Sequence, residues 1–436
     1  MARRHQLVPG SWQSVLGRLE ELVLANSGED EFQEIFKLIL AKIFAERTPA
    51  AGPRFAVAAS PAATADAVGE LLAAADRRWP GICGGSPVMR LRPEHLCVCV
   101  AAIAGLHLAD ASLEVLDPLF EHLIGRASKG AKGQFFTPRH VIECCVRIVD
   151  PMPGESVLDP ACGSAGFLIH ALGHVRGAAP AADLAGYAAH DLWGADFDAR
   201  AIQVARAMML VAGDGESNLF RLNSLLAPDA PGAPGVPAAP GRREPVIEQV
   251  AADRLAAAGG FDVIMTNPPF AGDVREPGLL GRYELAGRGG RTERDVLFLE
   301  RCVGLLRPGG RMAIVLPHGK FGAPGLAHLR AWLVRQVQVV AVLGLGRYTF
   351  LPHTSQKAAV LFARKRITPD PCPPAEPVLF LISERDGKDS AGRLVNRADA
   401  AAGEPAWLRV DHDLGDVVDI FGRFVAEHGI EWHRHG

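Results

Sequence analysis

The 436-residue chain lacks the motifs that mark several large classes of protein. Its eight cysteines include no Cys-x-x-Cys pair, so neither a metal site nor a disulfide framework is predicted. We expect them to be reduced thiols of a cytoplasmic protein. No apolar run is long enough to cross a bilayer, and the charged first residues are not followed by an apolar segment. Neither a membrane span nor a signal peptide is therefore predicted.

An excess of basic residues is also missing. The chain has 46 Lys and Arg against 49 Asp and Glu, for a net charge of −3. The composition therefore does not indicate a nucleic-acid binder, and any such contact must be local or come from a partner. The hydrophobic content of 48% is enough for a sizeable core, and the length predicts two or three domains.

The most informative stretch is a short apolar run, residues 262–266, that ends at two prolines. The run predicts a buried strand, and the prolines prevent both helix and strand pairing beyond it. In an open α/β sheet, the carboxyl ends of the strands form the edge where ligands bind. One amide, the backbone carbonyls beside the prolines and one aromatic ring are expected there, in Asn267, Pro268, Pro269 and Phe270.

Strands and helices alternate from residue 156 onward, which predicts a doubly wound, mostly parallel sheet of seven strands. The predicted strands are residues 156–160, 192–196, 219–223, 261–266, 311–317, 337–345 and 357–363, and residues 378–384 could add one more. The first strand ends at Asp159, before a turn of small residues that opens a helix, and the second ends at Asp196. Small side chains let a ligand approach the backbone closely. The turn is not Gly-x-Gly-x-x-Gly and has no phosphate-loop lysine. A turn of this kind, with an acid at the end of the next strand, suits a nucleoside with free ribose hydroxyls.

The regions on either side of this sheet differ in pattern. Residues 1–130 predict an α-helical domain, in which residues 31–46 carry an apolar stripe at helical spacing. The α/β domain is assigned to residues 131–366, and residues 367–436 form a short C-terminal extension. A glycine-rich basic loop joins the first two regions. Thr137 is predicted to cap the next helix, and Pro138 to open it. The loop is either a linker with a cap or a loop that folds over a bound cofactor.

Three segments together resemble the adenine-specific DNA methyltransferases, and in particular the modification subunit of type I restriction-modification systems: residues 133–138, 159–167 and 267–270. Residues 306–317 and 350–357 resemble further segments of that family. The helical region matches more loosely, and the resemblance covers about residues 30–365 in all.

The resemblance implies that the cofactor is S-adenosylmethionine. It assigns to a loop that covers the cofactor Gln134, Phe135, Phe136, Thr137, Pro138 and Arg139. It assigns to the cofactor's methionine part Asp159, Gly163, Ser164, Ala165 and Gly166. Asp196 would meet the ribose hydroxyls and Asn223 the adenine. Many relatives carry an acid at the position of Asn223, so that contact departs from the family pattern.

The resemblance further implies methyl transfer to the exocyclic N6 amine of adenine in DNA. The Asn267 side-chain oxygen and the Pro268 carbonyl can each accept one amine hydrogen, which directs the nitrogen lone pair out of the ring plane. Phe270 would stack on a base that has left the double helix. The catalytic residues are thus expected to be Asn267, Pro268, Pro269 and Phe270.

Two long loops interrupt the α/β pattern. Residues 227–260 are rich in Pro, Ala and Gly in their first half and predict a flexible surface insertion. Residues 271–294 carry five arginines among many glycines: Arg275, Arg282, Arg288, Arg291 and Arg294. This second loop is either an ordinary solvated loop or a mobile arm that touches DNA phosphates beside the site.

The expected partners follow from what the α/β region lacks. No stretch after residue 365 is long enough for a target-recognition domain, and no nuclease or ATPase motif is evident. DNA and a separate specificity subunit are therefore expected as partners, with two copies of this chain per specificity subunit by resemblance. A restriction subunit is compatible with the same reading. The alternatives are methylation of RNA or of a protein glutamine, and a non-catalytic DNA-binding or assembly module.

Overall fold

The computed structural model describes residues 5–6, 12–24, 28–48, 50, 52–108, 119–120, 122–123, 136–213, 218–226, 260–287, 289–401 and 404–433. The chain divides into two compact units. The first comprises Met1–Gly130 and Ala199–Glu216, and the second Ala131–Asp198 and Ser217–Gly436. Within the described ranges, no helix is both long and apolar enough to cross a bilayer.

Fourteen α-helices are described, in addition to a 3-10 turn at Pro324–Leu326. They are α1 (Trp12–Leu24), α2 (Glu31–Arg47), α3 (Pro61–Arg78), α4 (Pro93–Ile103), α5 (Arg139–Val149), α6 (Gly166–Ala178), α7 (Leu184–His190), α8 (Ala199–Ala212), α9 (Pro277–Leu280), α10 (Arg294–Leu305), α11 (Gly319–Gly322), α12 (Ala327–Gln336), α13 (Ala406–Arg409) and α14 (Leu414–Glu427).

The first unit is mainly helical, as its sequence pattern predicts, with one short parallel pair between His5–Gln6 and Leu106–His107. Asp30 caps α2 by accepting a hydrogen bond from the Gln33 amide, and the predicted apolar stripe of α2 is buried. α8 belongs to this unit although it lies between two strands in the chain. Its Gln203 side chain donates to the Cys83 carbonyl over 3.0 Å, and Arg200 pairs with Asp30 at 2.8 Å. The helical unit is therefore assembled from two separate parts of the sequence.

The second unit contains a sheet of eight strands, seven predicted and the eighth within residues 378–384. They are β1 (Val157–Asp159), β2 (Leu192–Asp196), β3 (Asn218–Arg221), β4 (Phe261–Thr266), β5 (Leu306–Pro317), β6 (Val337–Gly344), β7 (Ala358–Lys365) and β8 (Leu379–Ile382). Their order across the sheet is β8-β6-β7-β5-β4-β1-β2-β3, and only the two pairings that involve β7 are antiparallel. The predicted fold class, a doubly wound and mostly parallel sheet, is confirmed.

The central strands are buried along their whole length, which explains why they read as continuous apolar runs. Leu158 of β1 lies opposite Trp193 of β2 and Ile264 of β4. Since these pairings are parallel, the strands point their carboxyl ends toward the same edge. Asp159, Asp196 and Asn267 follow from that register as neighbours along one edge of the sheet.

The C-terminal extension, residues 367–436, belongs to the same unit as the sheet. Besides β8 it contributes α14, which packs against α5, and Phe421 of α14 contacts Phe362 of β7 with ring centroids 5.8 Å apart. Trp432 donates its indole N–H to the Ile148 carbonyl over 2.7 Å. The extension is thus part of the core around α5.

Candidate functional site

The site lies at the carboxyl edge of the sheet, where β1, β2 and β4 end. Three backbone amides of the turn after β1 donate hydrogen bonds that hold the turn in place. The Asp159 carboxylate accepts from the Ala161 amide at 3.0 Å, and the Cys162 amide donates to the Ala195 carbonyl of β2 at 2.9 Å. The Gly163 amide donates to the Asp196 carboxylate at 3.0 Å. The two predicted acids therefore lie on either side of one turn.

The conformation of this turn explains its small residues. Gly163 and Ala165 have φ of 52° and 68°, in the left-handed region that most side chains disfavour. Ala165 occupies the N-cap position of α6 and offers no side chain to cap it, and the helix runs from Gly166. The first amide groups of α6 thus lie at the turn without a capping side chain, as a ligand site at a helix N-terminus requires.

The predicted covering loop reaches this turn. A Cβ atom placed on Gly166 would lie 3.2 Å from a guanidinium nitrogen of Arg139, and one on Gly163 would lie 4.0 Å from the Phe136 ring. Both side chains therefore border the turn after β1, and Ser164 and Ala165 lie between the two glycines. Gln134 and Phe135 fall outside the described residues.

One detail of the loop was predicted wrongly. α5 begins at Arg139, so Pro138, not Thr137, occupies the N-cap position. The Pro138 carbonyl accepts from the amides of Val141 and Ile142 at 2.9 and 3.1 Å. The ring of proline fixes its φ, here −56°, so the residue fits the boundary without a side-chain cap.

The carboxyl groups of Asp159 and Asp196 both have raised pKa values. Burial raises the pKa of Asp159 to about 7, against the Thr266 hydroxyl and the Ala161 amide, which favour the carboxylate. Burial also raises the pKa of Asp196 to about 6, although the Asp198 and Gly163 amides donate to it. A cation beside these groups would favour their ionised forms and be attracted by them. The edge is therefore suited to a ligand with positive charge.

Asn223 follows β3 at the far side of the site. Its side-chain oxygen accepts from the Leu225 amide at 3.1 Å, and the neighbouring Ser224 hydroxyl donates to the Pro160 carbonyl at 2.6 Å. The second contact ties this segment to the end of β1. Because the Asn223 oxygen is engaged locally, its amide nitrogen is the group suited to a ligand acceptor.

The four residues after β4 form the other half of the site. Pro268 and Phe270 are buried, while Asn267 and Pro269 are half-buried. The Phe270 ring meets the edge of Phe350, with centroids 5.7 Å apart and planes at 69°. Phe350 lies in the segment between β6 and β7, so residues far apart in sequence form one aromatic wall.

The arginine-rich loop, residues 271–294, contains secondary structure that the sequence did not predict. Asp273–Val274 pairs with Thr292–Glu293 as a short antiparallel ladder. α9 buries Leu279 and Leu280 in a cluster with Leu297 and Phe298 of α10. Among its five arginines, Arg288 is outside the described residues, Arg294 is half-buried, and the exposed ones are Arg275, Arg282 and Arg291. The predicted insertion at residues 227–260 lies outside the described residues except for Gly260.

Sequence reasoning gave no role to two aromatic residues at this edge. Phe197, which directly follows Asp196, is 73% exposed, which is unusual for a large apolar side chain. Its position after a strand-ending acid was the available signal. Phe350 is only 2% exposed, and its link to Phe270 is a long-range contact that no local pattern reveals.

Comparisons with known proteins agree with this architecture. A sequence model of the family described as N-6 DNA Methylase matches residues 112–397. The methylase subunit of the type I restriction enzyme EcoEI from Escherichia coli is 29% identical over 243 residues, which are 55% of this chain and 44% of that protein. The type II restriction enzyme and methyltransferase RM.BcgI from Heyndrickxia coagulans is 34% identical over 188 residues, 42% of this chain and 24% of that one. The chain spans less than half the length of these relatives.

The fold is shared with solved structures. A modification subunit of a type I restriction enzyme from Vibrio vulnificus superposes with a TM-score of 0.62 at 20% identity, covering 85% of this chain and 84% of that one. The methyltransferase subunit of a type I system from Streptococcus thermophilus gives 0.59 at 16% identity, with 96% and 94% covered.

The strand order and the turn after β1 are those of a doubly wound α/β domain, the fold that this chain shares with the solved structures. More particularly, the chain belongs to the N-6 DNA methylase family, whose sequence model covers most of it. The resemblance inferred from the motifs is thereby confirmed.

Proposed function

We propose that this chain transfers a methyl group from S-adenosylmethionine to the N6 amine of adenine in DNA, as the modification subunit of a restriction-modification system. The observation that carries the proposal is the meeting of two separate motifs at one edge. The turn between Asp159 and Gly166, with Asp196 beside it, borders the same edge as Asn267 and Phe270.

The residues at the turn fit the cofactor. A Cβ atom at Gly166 would lie 2.8 Å from a methyl carbon of Ile142, so only glycine lets α5 pack this closely against the start of α6 beside the turn. Asp159 is suited to the ammonium group and Asp196 to the two ribose hydroxyls, since carboxylates accept hydrogen bonds from both. The exposed ring of Phe197 offers an apolar face to the adenine, and the Asn223 amide can donate to a ring nitrogen.

Residues 136–139 are assigned to the covering of the cofactor, with Gln134 and Phe135 before them. Phe136 lies beside Gly163 and Arg139 beside Gly166, so the loop can shield the methionine part from water. When bound, the cofactor supplies an electrophilic methyl group on a sulfonium. Exclusion of water strengthens the electrostatic contacts around such a charge.

Asn267 and Pro268 would hold the amine that is methylated. The N6 lone pair of adenine is delocalised into the ring, which makes the amine a poor nucleophile. The Asn267 side-chain oxygen and the Pro268 carbonyl would each accept one hydrogen of that amine and turn its lone pair out of the ring plane. Fixed dipoles at this position also stabilise the positive charge that develops on nitrogen.

Phe270 would hold the target base outside the duplex, because a base within the stack cannot reach a pocket at the sheet edge. Stacking on an aromatic ring contributes about 1–3 kcal/mol per base. The edge contact with Phe350 supports this role, because it fixes the plane of the Phe270 ring.

Sequence recognition is assigned to a separate specificity subunit. The relatives named above include the methylase subunits of type I restriction enzymes, and this chain has a net charge of −3. We infer an assembly with two copies of this chain per specificity subunit, to which a restriction subunit can also bind. The assembly would act on DNA in the cytoplasm. Alone, the chain should bind DNA weakly and without sequence preference.

The test is transfer of labelled methyl groups from S-adenosylmethionine to DNA, RNA or protein. We expect label in N6-methyladenine of DNA when the chain is combined with the proteins that copurify with it. Label in RNA or in a protein glutamine would replace the proposal, and failure to label any substrate would favour a non-catalytic module. Efficient methylation at one defined sequence by the isolated chain would remove the specificity subunit from the proposal.

A further inference from the structure

Asp386, in the C-terminal extension, contacts the segment that carries Phe350. Its carboxylate accepts the Tyr348 amide at 2.9 Å and the Thr349 hydroxyl at 3.1 Å. Thr349 is only 2% exposed, so its hydroxyl needs this partner. Residues 346–350, here called the Phe350 loop, are thus fixed from outside by one acid that lies beyond β8.

The Phe350 loop is shaped to receive this carboxylate. A Cβ atom placed on Gly346 would overlap the Asp386 carboxylate, and the φ of Gly346 is not in the left-handed region. Glycine is therefore needed at residue 346 for space rather than for backbone conformation. The contact is a close fit between two segments and not a chance pairing of surface groups.

The same residue also borders the covering-loop side of the site. Asp386 pairs with His412 in an antiparallel bridge, and the His412 ring stacks on His140 with centroids 5.2 Å apart and planes at 16°. His140 is the second residue of α5, next to Arg139. Burial lowers the pKa of His140 to about 3, with His412 and Lys388 adding to the effect and the backbone of Asp386 opposing it. A neutral His140 ring can stack without a charge penalty.

We propose that Asp386 is a positioning residue for methyl transfer, which orients the Phe270 ring through Thr349 and Phe350. The inference rests on the proposed function, since it assumes that Phe270 receives the target base. Loss of the carboxylate frees the Phe350 loop, and the Phe270 ring loses the edge contact that sets its plane. The link from Asp386 to His140, on the side of the turn at Gly163–Gly166, is made by the Asp386 backbone, which the substitution keeps.

The chain offers a matched control at Asp389. Among the described residues, the Asp389 carboxylate accepts hydrogen bonds from its own turn, from the Ala391 amide and from the amide and side chain of Arg393. Asp386→Ala, Asp386→Asn, Gly346→Ala and Asp389→Ala are compared in the complex purified from its host. The substrate is genomic DNA from a host strain that lacks the gene, with tritiated S-adenosylmethionine.

We expect Asp386→Ala to lower kcat/KM for DNA by about 10- to 100-fold, the scale of loss when a reacting group is slightly misplaced. The Kd for S-adenosylmethionine should change by less than about twofold, because the binding turn is untouched. Asp386→Asn retains one acceptor oxygen and should recover part of the activity. Gly346→Ala should lower kcat/KM as Asp386→Ala does, because its side chain displaces the same carboxylate. Asp389→Ala should have wild-type activity. Amide hydrogen exchange of residues 347–350 should accelerate in Asp386→Ala and in Gly346→Ala, but not in Asp389→Ala.

Full activity of Asp386→Ala in an active wild-type background would overturn the inference and leave the proposed function standing. An equal loss of cofactor affinity would also overturn it, because the residue would then act on general stability. A wild-type complex that transfers no label to adenine would overturn the proposed function and this inference with it.

Discussion

The Gly163 amide donates to the Asp196 carboxylate over 3.0 Å, which joins the turn after β1 to the end of β2. The Asp196 carboxylate also accepts from the Asp198 amide at 2.9 Å, so two backbone amides fix its orientation. A ligand that hydrogen-bonds Asp196 meets a group already oriented by the backbone. This contact would preorganise the proposed cofactor site before any ligand binds.

Asp196→Ala should weaken the binding of S-adenosylmethionine by about 1–3 kcal/mol, the scale for removing the acceptor of a polar contact. Titration calorimetry measures this change. Asp183→Ala is the control, because Asp183 caps α7 through the Gly186 amide in the same way, outside the site. Unchanged affinity in folded Asp196→Ala would contradict the assigned role.

Asn267→Ala should leave cofactor affinity nearly intact and reduce methyl transfer by about 100- to 1000-fold, the usual loss for one preorganised polar group at a developing charge. Phe270→Ala should act mainly on capture of the base, by about 1–3 kcal/mol. Single-turnover transfer to adenine separates these effects. An Asn267→Ala enzyme with wild-type turnover would exclude it from catalysis.

Cofactor binding should release protons between pH 6 and 7. The pKa values of Asp159 and Asp196 are raised to about 7 and about 6, and a cationic ligand favours the carboxylates. At pH 6.5 the release should total about one proton. Calorimetry in two buffers of different ionisation enthalpy reports it, and Asp159→Asn should remove most of it. Identical binding enthalpies in both buffers would rule out this linkage.

The same two acids predict how the ligand-free stability depends on pH. Their folded pKa values lie above the unfolded value of 3.8, so the folded state holds the protons more tightly. Their contribution to the free energy of unfolding is complete below about pH 4 and is lost as the pH rises through about 6 to 7. Asp159→Asn should flatten this decline in a thermal unfolding series. An unchanged slope would show that other groups dominate.

Arg275 and Arg291 should contact DNA phosphates beside the site. Both are largely exposed, at 73% and 68% of their side chains, and both lie near Asp273 on the ladder that follows Phe270. Each replacement by Gln should reduce the slope of log K against log salt by about 0.9 if it removes one phosphate contact. Arg335→Gln is the control, because this exposed arginine precedes β6 at the opposite edge of the sheet. If all three variants have the same slope of log K against log salt, the arginines of this loop do not contact DNA phosphates.

Much of the fold could be predicted because its signals are local. The sequence predicts strands at residues 156–160 and 261–266 from their apolar runs, and the prolines after Asn267 fix where the second of them ends. Asp159, Asp196 and Asn267 could be placed at one edge because parallel strands share their direction. These inferences need only the chain's periodicity and the geometry of a parallel sheet.

Other features depend on contacts between distant residues and could not be read from the sequence. Phe270 and Phe350, whose rings are in contact, are 80 residues apart in the sequence. Asp386 lies 38 residues after Tyr348, whose amide it accepts. No local sequence pattern predicts either contact. The cap of α5 was misjudged by one residue, since Thr137 is the better cap by propensity but Pro138 fits the local backbone. The assignment of α8 to the helical unit is likewise set by packing.

The split origin of the helical unit has a consequence for biosynthesis. Because α8 supplies the Gln203 contact to Cys83 and the Arg200 contact to Asp30, the helices made first lack these contacts until Ala199–Ala212 has left the ribosome. By then β1, α6 and β2 have also been synthesised. The N-terminal helices are therefore expected to wait in an incomplete form during translation, and a chain stopped before Ala199 should be a substrate for chaperones and proteases.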